Sequence, residues 1–163
     1  SGRVGGQVGF IDTEGKLIIN PTYKDAGHFS DGLAPVKTDQ TWGYIDAKGK
    51  MVINTQFDKA MPFSDGRALV KLGGAITGNY GYIDKDGKLV INPRFEDAKS
   101  FEAGLAAVKL NGKWGYIDTD GQVVIESRFD SADPFHGKLA MVDLGEEDGW
   151  IDRDGKCKWQ WDD

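Results

Sequence analysis

Three Asp-x-Asp-Gly segments come closest, by residue type and spacing, to a metal site in this sequence: Asp84–Gly87, Asp118–Gly121 and Asp152–Gly155. A calcium loop of the EF-hand kind needs further oxygen ligands before its glycine and a bidentate glutamate after it. Here the glycine comes too early, and in two segments a lysine, Lys88 or Lys156, follows it directly. The same residues suit a tight turn, because Asp accepts from the backbone two residues on and Gly adopts a left-handed conformation. We therefore expect turns here, with no metal and no cofactor.

The remaining candidates for chemistry lack the neighbours that catalysis or phosphate binding requires. Gly73 and Gly78 have the spacing of a phosphate loop, but Lys-Ser/Thr does not follow them. His28 and His136 lie beside recurrent phenylalanines at different registers, and Cys157 is the only cysteine, which indicates neither a zinc site nor an internal disulfide. A glycosidase would need a pair of carboxylates, yet most acidic residues recur in equivalent positions. The sequence therefore predicts no enzymatic activity and no catalytic residue.

The composition restricts the classes of partner. The 163-residue chain has a formal net charge of −6 and a pI of about 4.9. An acidic surface repels nucleic-acid phosphates and anionic lipids, and no apolar run approaches the roughly 18 residues of a membrane span. We therefore expect no nucleic-acid binding and no membrane insertion.

One motif, Gly-aromatic-Ile-Asp, recurs along the chain and must position any functional side chain. It begins at Gly9, Gly43, Gly81, Gly115 and Gly149, at steps of about 34 residues. One step is four residues longer, because the link Gly73–Asn79 is extended. Such recurrence indicates a single repeat domain over residues 1–163, with units at approximately 3–32, 33–66, 67–104, 105–138 and 139–163.

Each unit reads as a set of short strands. "WGYID" and "KMVI" are aromatic and β-branched, and the Asp-x-x-Gly between them predicts a hairpin. Asn111-Gly112 predicts a second hairpin, which joins the third strand of one unit to the first strand of the next. Alternation places Tyr44 and Ile45 on opposite faces. The spacing Phe57-x-x-Ala60-x-x-Phe63 favours a single helical turn in the segment that links the strands.

The repeated motifs resemble those of a known protein family. Trp42-Gly43-Tyr44-Ile45-Asp46 recurs as Trp114–Asp118 with the downstream Gly and apolar run, and Lys113-Trp114-Gly115 is a literal KWG. These motifs resemble the WG (KWG) repeat family of bacterial β-repeat proteins, and Val8, Tyr80 and Asp148 depart from its tryptophan. The resemblance implies a repeat module for interactions without general catalytic activity.

The resulting fold prediction is all-β: a tandem array of short antiparallel β-hairpin or meander repeats of about 34 residues. An open, solenoid-like array is the first choice. A closed ring, like a five-bladed propeller, is the alternative, because five units could close and remove exposed edges.

The leading functional hypothesis is a non-catalytic binding module whose repeated surface contacts another protein or a peptide. The alternative is carbohydrate or cell-wall binding through an aromatic ladder, which could otherwise form the core: Trp42, Tyr44, Tyr80, Tyr82, Trp114 and Tyr116. An enzyme with its site at the long link is a third hypothesis. Candidate partner-binding residues lie where the repeats differ, at Ile76 and Thr77 in the long link and at Trp159 and Trp161 near the end of the chain.

Overall fold

The structure of the protein, a computed structural model, describes residues 2–145 and 147–160, with the backbone alone for residues 2–4, 159 and 160. Throughout these residues the regular elements are β-strands, which confirms the all-β prediction. Accordingly, the part of the chain that is described contains no helix long and apolar enough to cross a bilayer.

Nineteen strands follow one another along the described chain. Their bounds are β1 Gly2–Val4, β2 Gln7–Ile11, β3 Leu17–Tyr23, β4 Asp25–Ala26, β5 Leu33–Lys37, β6 Trp42–Asp46, β7 Met51–Phe57, β8 Lys59–Ala60, β9 Ala68–Leu72, β10 Asn79–Ile83, β11 Leu89–Phe95, β12 Asp97–Ala98, β13 Leu105–Leu110, β14 Lys113–Asp118, β15 Val123–Phe129, β16 Ser131–Ala132, β17 Leu139–Asp143, β18 Asp148–Asp152 and β19 Cys157–Gln160.

These strands form five separate antiparallel sheets, each a meander in chain order. The first sheet contains β1, β2 and β3, and the following sheets are β4–β7, β8–β11, β12–β15 and β16–β19. A full sheet thus has four strands, one more than the meander predicted from the sequence. The additional strand is the two-residue element at the start of each sheet, which comes from the linking segment.

The prediction of a helical turn in the linking segment was wrong. Phe57 ends β7, and after the single residue Asp58 the strand β8, Lys59–Ala60, begins the next sheet. The backbone N–H groups of Asp58 and Met61 donate to carbonyls of β9 rather than to the preceding turn. The three-residue spacing instead marks the step between sheets, because Phe57, Ala60 and Phe63 enter one core cluster.

The predicted hairpins are confirmed in both places. Asp46 Oδ1 accepts from the backbone N–H groups of Lys48 and Lys50 at 2.9 Å each, and Gly49 has a φ of 83°. In the other hairpin Asn111 and Gly112 both have positive φ, at 51° and 76°, and connect the paired strands β13 and β14. Turn chemistry thus determines where each strand reverses.

A close approach between two backbones requires glycine at four of the five recurrent positions: Gly9, Gly43, Gly81 and Gly115. At Gly115 an added Cβ would lie 2.5 Å from the carbonyl oxygen of Ile125 and 2.7 Å from the nitrogen of Ser127. The pairing of β14 with β15 shifts register at this point, so that the return strand bulges over the glycine. Gly9, Gly43 and Gly81 meet the same backbone atoms of their own return strands. Only glycine allows the two backbones to approach so closely.

The core consists of four clusters, each between two consecutive sheets. Tyr44 packs on the sheet that follows its own, whereas Ile45 packs on the sheet that precedes it, as the alternation predicted. Both are fully buried, so the internal sheets are covered on both faces. Within the described residues no cluster joins the first sheet to the last. This is the arrangement of an open array rather than of a closed ring.

We expect Gly115→Ala to lower the free energy of unfolding by about 3 kcal/mol, because the methyl group must displace backbone that cannot move independently. Gly112→Ala is the control for backbone conformation: its φ of 76° disfavours alanine, but nothing lies within 4 Å of the added methyl group, so we expect a loss of about 1 kcal/mol. Urea unfolding followed by tryptophan fluorescence measures both. Equal losses in the two variants would contradict the close-approach explanation.

Candidate interaction surfaces

The described residues bring together no cluster of His, Cys, Asp or Glu with the geometry of a metal site. His136 Nδ1 lies 3.0 Å from Glu102 Oε1, and both side chains are largely exposed. His28 is also exposed, at a different position in its unit. These histidines lie on the outside of the array rather than in an enclosed site.

The Asp-x-x-Gly carboxylates are engaged within their own turns. The Oδ1 atoms of Asp84, Asp118 and Asp152 each accept from two backbone N–H groups of the loop that they begin. At Asp152, the bond from the Lys156 N–H and then the contact with Lys158 lower the pKa of the carboxyl. Their first role is therefore to hold the turn, as the sequence indicated.

The tyrosines of the aromatic ladder form the core. Tyr44, Tyr82 and Tyr116 are almost completely buried, and each ring packs against two phenylalanines. Each hydroxyl donates to the backbone carbonyl of the residue that follows the first strand of the next sheet. The distances are 2.7–2.8 Å, from Tyr44 to Met61, from Tyr82 to Lys99 and from Tyr116 to Asp133. These rings join consecutive sheets and offer no open face for stacking on a sugar.

Two further ladder positions, Trp114 and Tyr80, have lysines over their ring faces. Lys99 Nζ lies 5.4 Å from the ring centre of Trp114, and the same amine donates to the carbonyl of Ala132. Lys59 and Lys71 lie over Tyr80, at 6.0 and 5.2 Å. Cation–π contacts thus occupy ring faces that carbohydrate binding would use.

The long link forms an ordered hairpin tip that displays an apolar residue. Gly78 N–H donates to Gly74 O at 2.9 Å, and the Thr77 hydroxyl donates to Gly73 O at 3.0 Å. Lys71 Nζ also donates to the carbonyl of Ala75, at 2.6 Å. Ile76 is 93% exposed at this tip. The loop is therefore held by hydrogen bonds within it and by bonds to Lys71 and Asp58. The proposal that Ile76 and Thr77 bind a partner stays a prediction.

The two tryptophans near the end of the chain are described only in part. Trp159 belongs to β19, where its backbone is opposite Trp150 of β18. Trp161 lies outside the described residues. Their proposed role in binding also stays a prediction.

A further surface, not singled out from the sequence, runs along the last strand of successive sheets. The strands β3, β7, β11 and β15 each end a sheet, so one of their edges has no hydrogen-bonded neighbour among the described strands. An apolar residue precedes the buried isoleucine of each strand: Ile18, Val52, Val90 and Val124. Val90 is half-buried and packs on the core cluster between the third and fourth sheets. The other three, Ile18, Val52 and Val124, are 54%, 46% and 44% exposed. We call this row, with the residues two positions later (Asn20, Asn54, Asn92 and Glu126), the edge-strand face.

A groove opens where the edge-strand face meets the turn of the next sheet. It has a volume of about 200 Å³ and is lined by Val90, Ile91, Asn92, Arg94, Asp120 and Gly121. Arg94 Nη2 donates to the carbonyl of Gly121 at 3.1 Å across the joint, and Arg128 Nη2 donates to Gly155 in the next joint. The groove therefore combines an apolar wall with polar groups from two sheets.

The sequence contained a signal for this surface. A strand with one buried face alternates apolar and polar residues, but the runs KLII, KMVI, KLVI and QVVI are apolar at consecutive positions. At least one apolar residue of each run must then lie on the side of the strand opposite to its buried isoleucine. The structure places Ile18, Val52 and Val124 in water, which makes them a surface rather than a core feature.

Comparison with known proteins agrees with the repeat architecture. A family model described as "WG containing repeat" matches the chain four times in tandem, over residues 9–42, 42–74, 80–114 and 114–146. These matches cover well over half of the chain, and the interval between the second and third falls in the long link. No curated protein matches the chain.

We expect the protein to lose stability as the pH rises above about 10, the ordinary pKa of tyrosine. Burial raises the pKa of Tyr44, Tyr82 and Tyr116 well above that value, with a further contribution from Asp97 at Tyr82 and from Asp133 at Tyr116. The unfolded chain therefore releases these protons first, and the stabilisation present below pH 10 is lost above it.

Urea unfolding between pH 8 and pH 11, with absorbance at 295 nm, measures this loss (the range brackets the ordinary tyrosine pKa of about 10). The Tyr82→Phe variant has one shifted group fewer, so its stability should fall less steeply with pH. Titration of all three buried phenols near pH 10 in a chain that stays folded would contradict the expectation.

Proposed function

Because the chain belongs to the WG containing repeat family, we propose that it is a non-catalytic binding module that holds a protein segment or peptide on its edge-strand face. The observation that carries the proposal is the repetition of an exposed apolar side chain on three of the four edge strands, at Ile18 in β3, Val52 in β7 and Val124 in β15. Rows of exposed apolar groups at fixed spacing are typical of interaction sites in stacked repeats.

The contacts available on this face favour side-chain docking over the addition of a strand. Pro21 lies in β3 and Pro93 in β11, and proline removes a backbone donor that an added strand would use. Thr55 and Ser127 occupy the equivalent positions in β7 and β15. What all four edges share is therefore an apolar side chain and a polar residue two positions later.

The side chains of the edge-strand face indicate what kind of ligand it would bind. Apolar side chains anchor apolar groups of a partner, and the neighbouring Asn20, Asn54 and Asn92 can donate to and accept from an extended backbone. The groove beside Val90 offers room for a side chain at the joint between two sheets. We infer an extended segment with several apolar side chains, which crosses successive edges of the array.

The test uses a random-peptide display library selected on the immobilised chain, followed by titration of the selected peptides. In the variant Ile18→Thr/Val52→Thr/Val124→Thr, threonine keeps the β-branched shape that strands favour but removes apolar surface. We expect peptide affinity to fall by about tenfold or more, since truncated anchors commonly cost over 1 kcal/mol each.

The matched control removes three exposed apolar side chains outside the edge-strand face, as Met61→Thr/Val123→Thr/Leu144→Thr; Val123 points to the opposite side of β15 from Val124. It should bind the same peptides as the unmodified chain does. A glycan array probed in parallel covers the carbohydrate alternative. Equal peptide binding by both triple variants, or glycan binding without any peptide binding, would contradict the proposal.

A further inference from the structure

The third sheet carries a charge pattern that differs from the sheets on either side of it. In the second and fourth sheets, three paired residues form a row across the first three strands, in the order aspartate, lysine and tryptophan: Asp25, Lys37 and Trp42, and Asp97, Lys109 and Trp114. In the third sheet the same row contains Lys59, Lys71 and Tyr80. A lysine in place of the aspartate changes the formal charge of the row from zero to +2.

The two lysines of this row are direct cross-strand neighbours. Like charges that face each other across paired strands destabilise a sheet. Lys59 Nζ and Lys71 Nζ lie 6.0 and 5.2 Å from the centre of the Tyr80 ring, so both amines are gathered over one aromatic face. Among the described residues no carboxylate forms an ion pair with either amine. The described part of the protein therefore leaves this pair of charges without a counter-charge.

The long link adjoins the lysine pair and engages the carboxylate that is nearest in sequence. Asp58 Oδ2 accepts from the N–H of Gly74 at 2.8 Å. Lys71 Nζ donates to the carbonyl of Ala75 at 2.6 Å, and an ammonium has three donors, so two remain for a ligand. Ile76 follows Ala75 in the chain and is 93% exposed. A positively charged group and an exposed apolar side chain thus meet at the link whose length differs.

This position is separate from the edge-strand face. The strand order of the third sheet is β11-β10-β9-β8, so Lys59 in β8 and Lys71 in β9 lie on the two strands farthest from the edge strand β11. Lys59 is exposed, whereas Lys71 and Tyr80 are half-buried. The Tyr80 ring also packs on the core cluster between the third and fourth sheets, which holds it in place beside the amines.

We propose that Lys59, Lys71 and Tyr80 bind an oxyanion of an acidic protein segment, carried as a carboxylate or as a phosphoryl group. Both groups accept charge-assisted hydrogen bonds from ammonium groups, and the Tyr80 hydroxyl supplies a further donor. An anion between the amines also removes the repulsion that they exert on each other in the free chain. An apolar neighbour of the acidic residue would contact Ile76, and the net charge of −6 disfavours nucleic acid as the source of the anion.

Titration of the full chain with three matched peptides tests the proposal. The N-acetylated, amidated peptides Gly-X-Leu-Gly carry glutamate, phosphoserine or glutamine at X, and backbone amide chemical shifts follow binding. We expect the two acidic peptides to shift the amides of Lys59, Lys71 and Tyr80. The glutamine peptide should bind about tenfold or more weakly, because it lacks the charge. The tighter of the two acidic peptides distinguishes a carboxylate from a phosphoryl ligand.

Lys59→Asp gives the third sheet the aspartate–lysine pair that the second and fourth sheets contain. Because opposite charges across paired strands are stabilising, we expect this variant to unfold at a higher urea concentration than the unmodified chain. Its affinity for both acidic peptides should nevertheless fall about tenfold or more, since repulsion replaces attraction. A residue with only a structural role would not change stability and binding in opposite directions.

Lys88→Asp is the matched control, since it makes the same charge change at an exposed lysine beyond the other end of β10. It should bind the peptides as the unmodified chain does. Equal affinity for the glutamate and glutamine peptides, or equal binding by Lys59→Asp and the unmodified chain, overturns the proposal. So does the absence of shifts with both acidic peptides, or a Lys59→Asp chain that loses stability and binding together.

Discussion

Burial of both faces of a small sheet is the constraint on which the rest of this structure depends. A repeat of this size, with apolar side chains on both faces of its sheet, cannot bury them alone and must stack on its neighbours. On one face of its sheet, Tyr82 packs on the following sheet, and its hydroxyl donates to the carbonyl of Lys99. Ile83, the following residue, packs on the sheet before. Two adjacent residues therefore connect three sheets.

Much of this arrangement could be predicted from the sequence, because its signals are local. The Asp-x-x-Gly and Asn-Gly turns determine the hairpins through the conformations that these residues adopt. The alternation of Tyr44 and Ile45 gives opposite faces. The step Phe57–Ala60 was misread as helical because a three-residue spacing also arises when a chain crosses between sheets. Only the pairing with β9 distinguishes the two, and that contact is not local in sequence.

The candidate surface was harder to predict for a similar reason. Consecutive apolar residues such as Met51-Val52-Ile53 do not reveal which of them faces water until the neighbouring sheet is in place. Ile53 is covered by the next sheet and Val52 is not. The aromatic residues posed the opposite problem, because a row of rings suits both a core and a ligand platform. The hydroxyl bonds of the three buried tyrosines, which span two sheets, identify these three of the six rings as core.

The hairpin tip at Gly73–Gly78 shows that a link can change in length without a change in the strands that it joins. Although this link is longer than its equivalents, Tyr80 remains opposite Lys71 just as Trp114 remains opposite Lys109. The extra residues thus leave the strand register, and with it the joints on either side, unaltered. Duplication of a unit can lengthen the array, while insertion at a tip can diversify one repeat without disturbing its neighbours. The same independence makes this tip a suitable position for grafting a foreign loop into the scaffold.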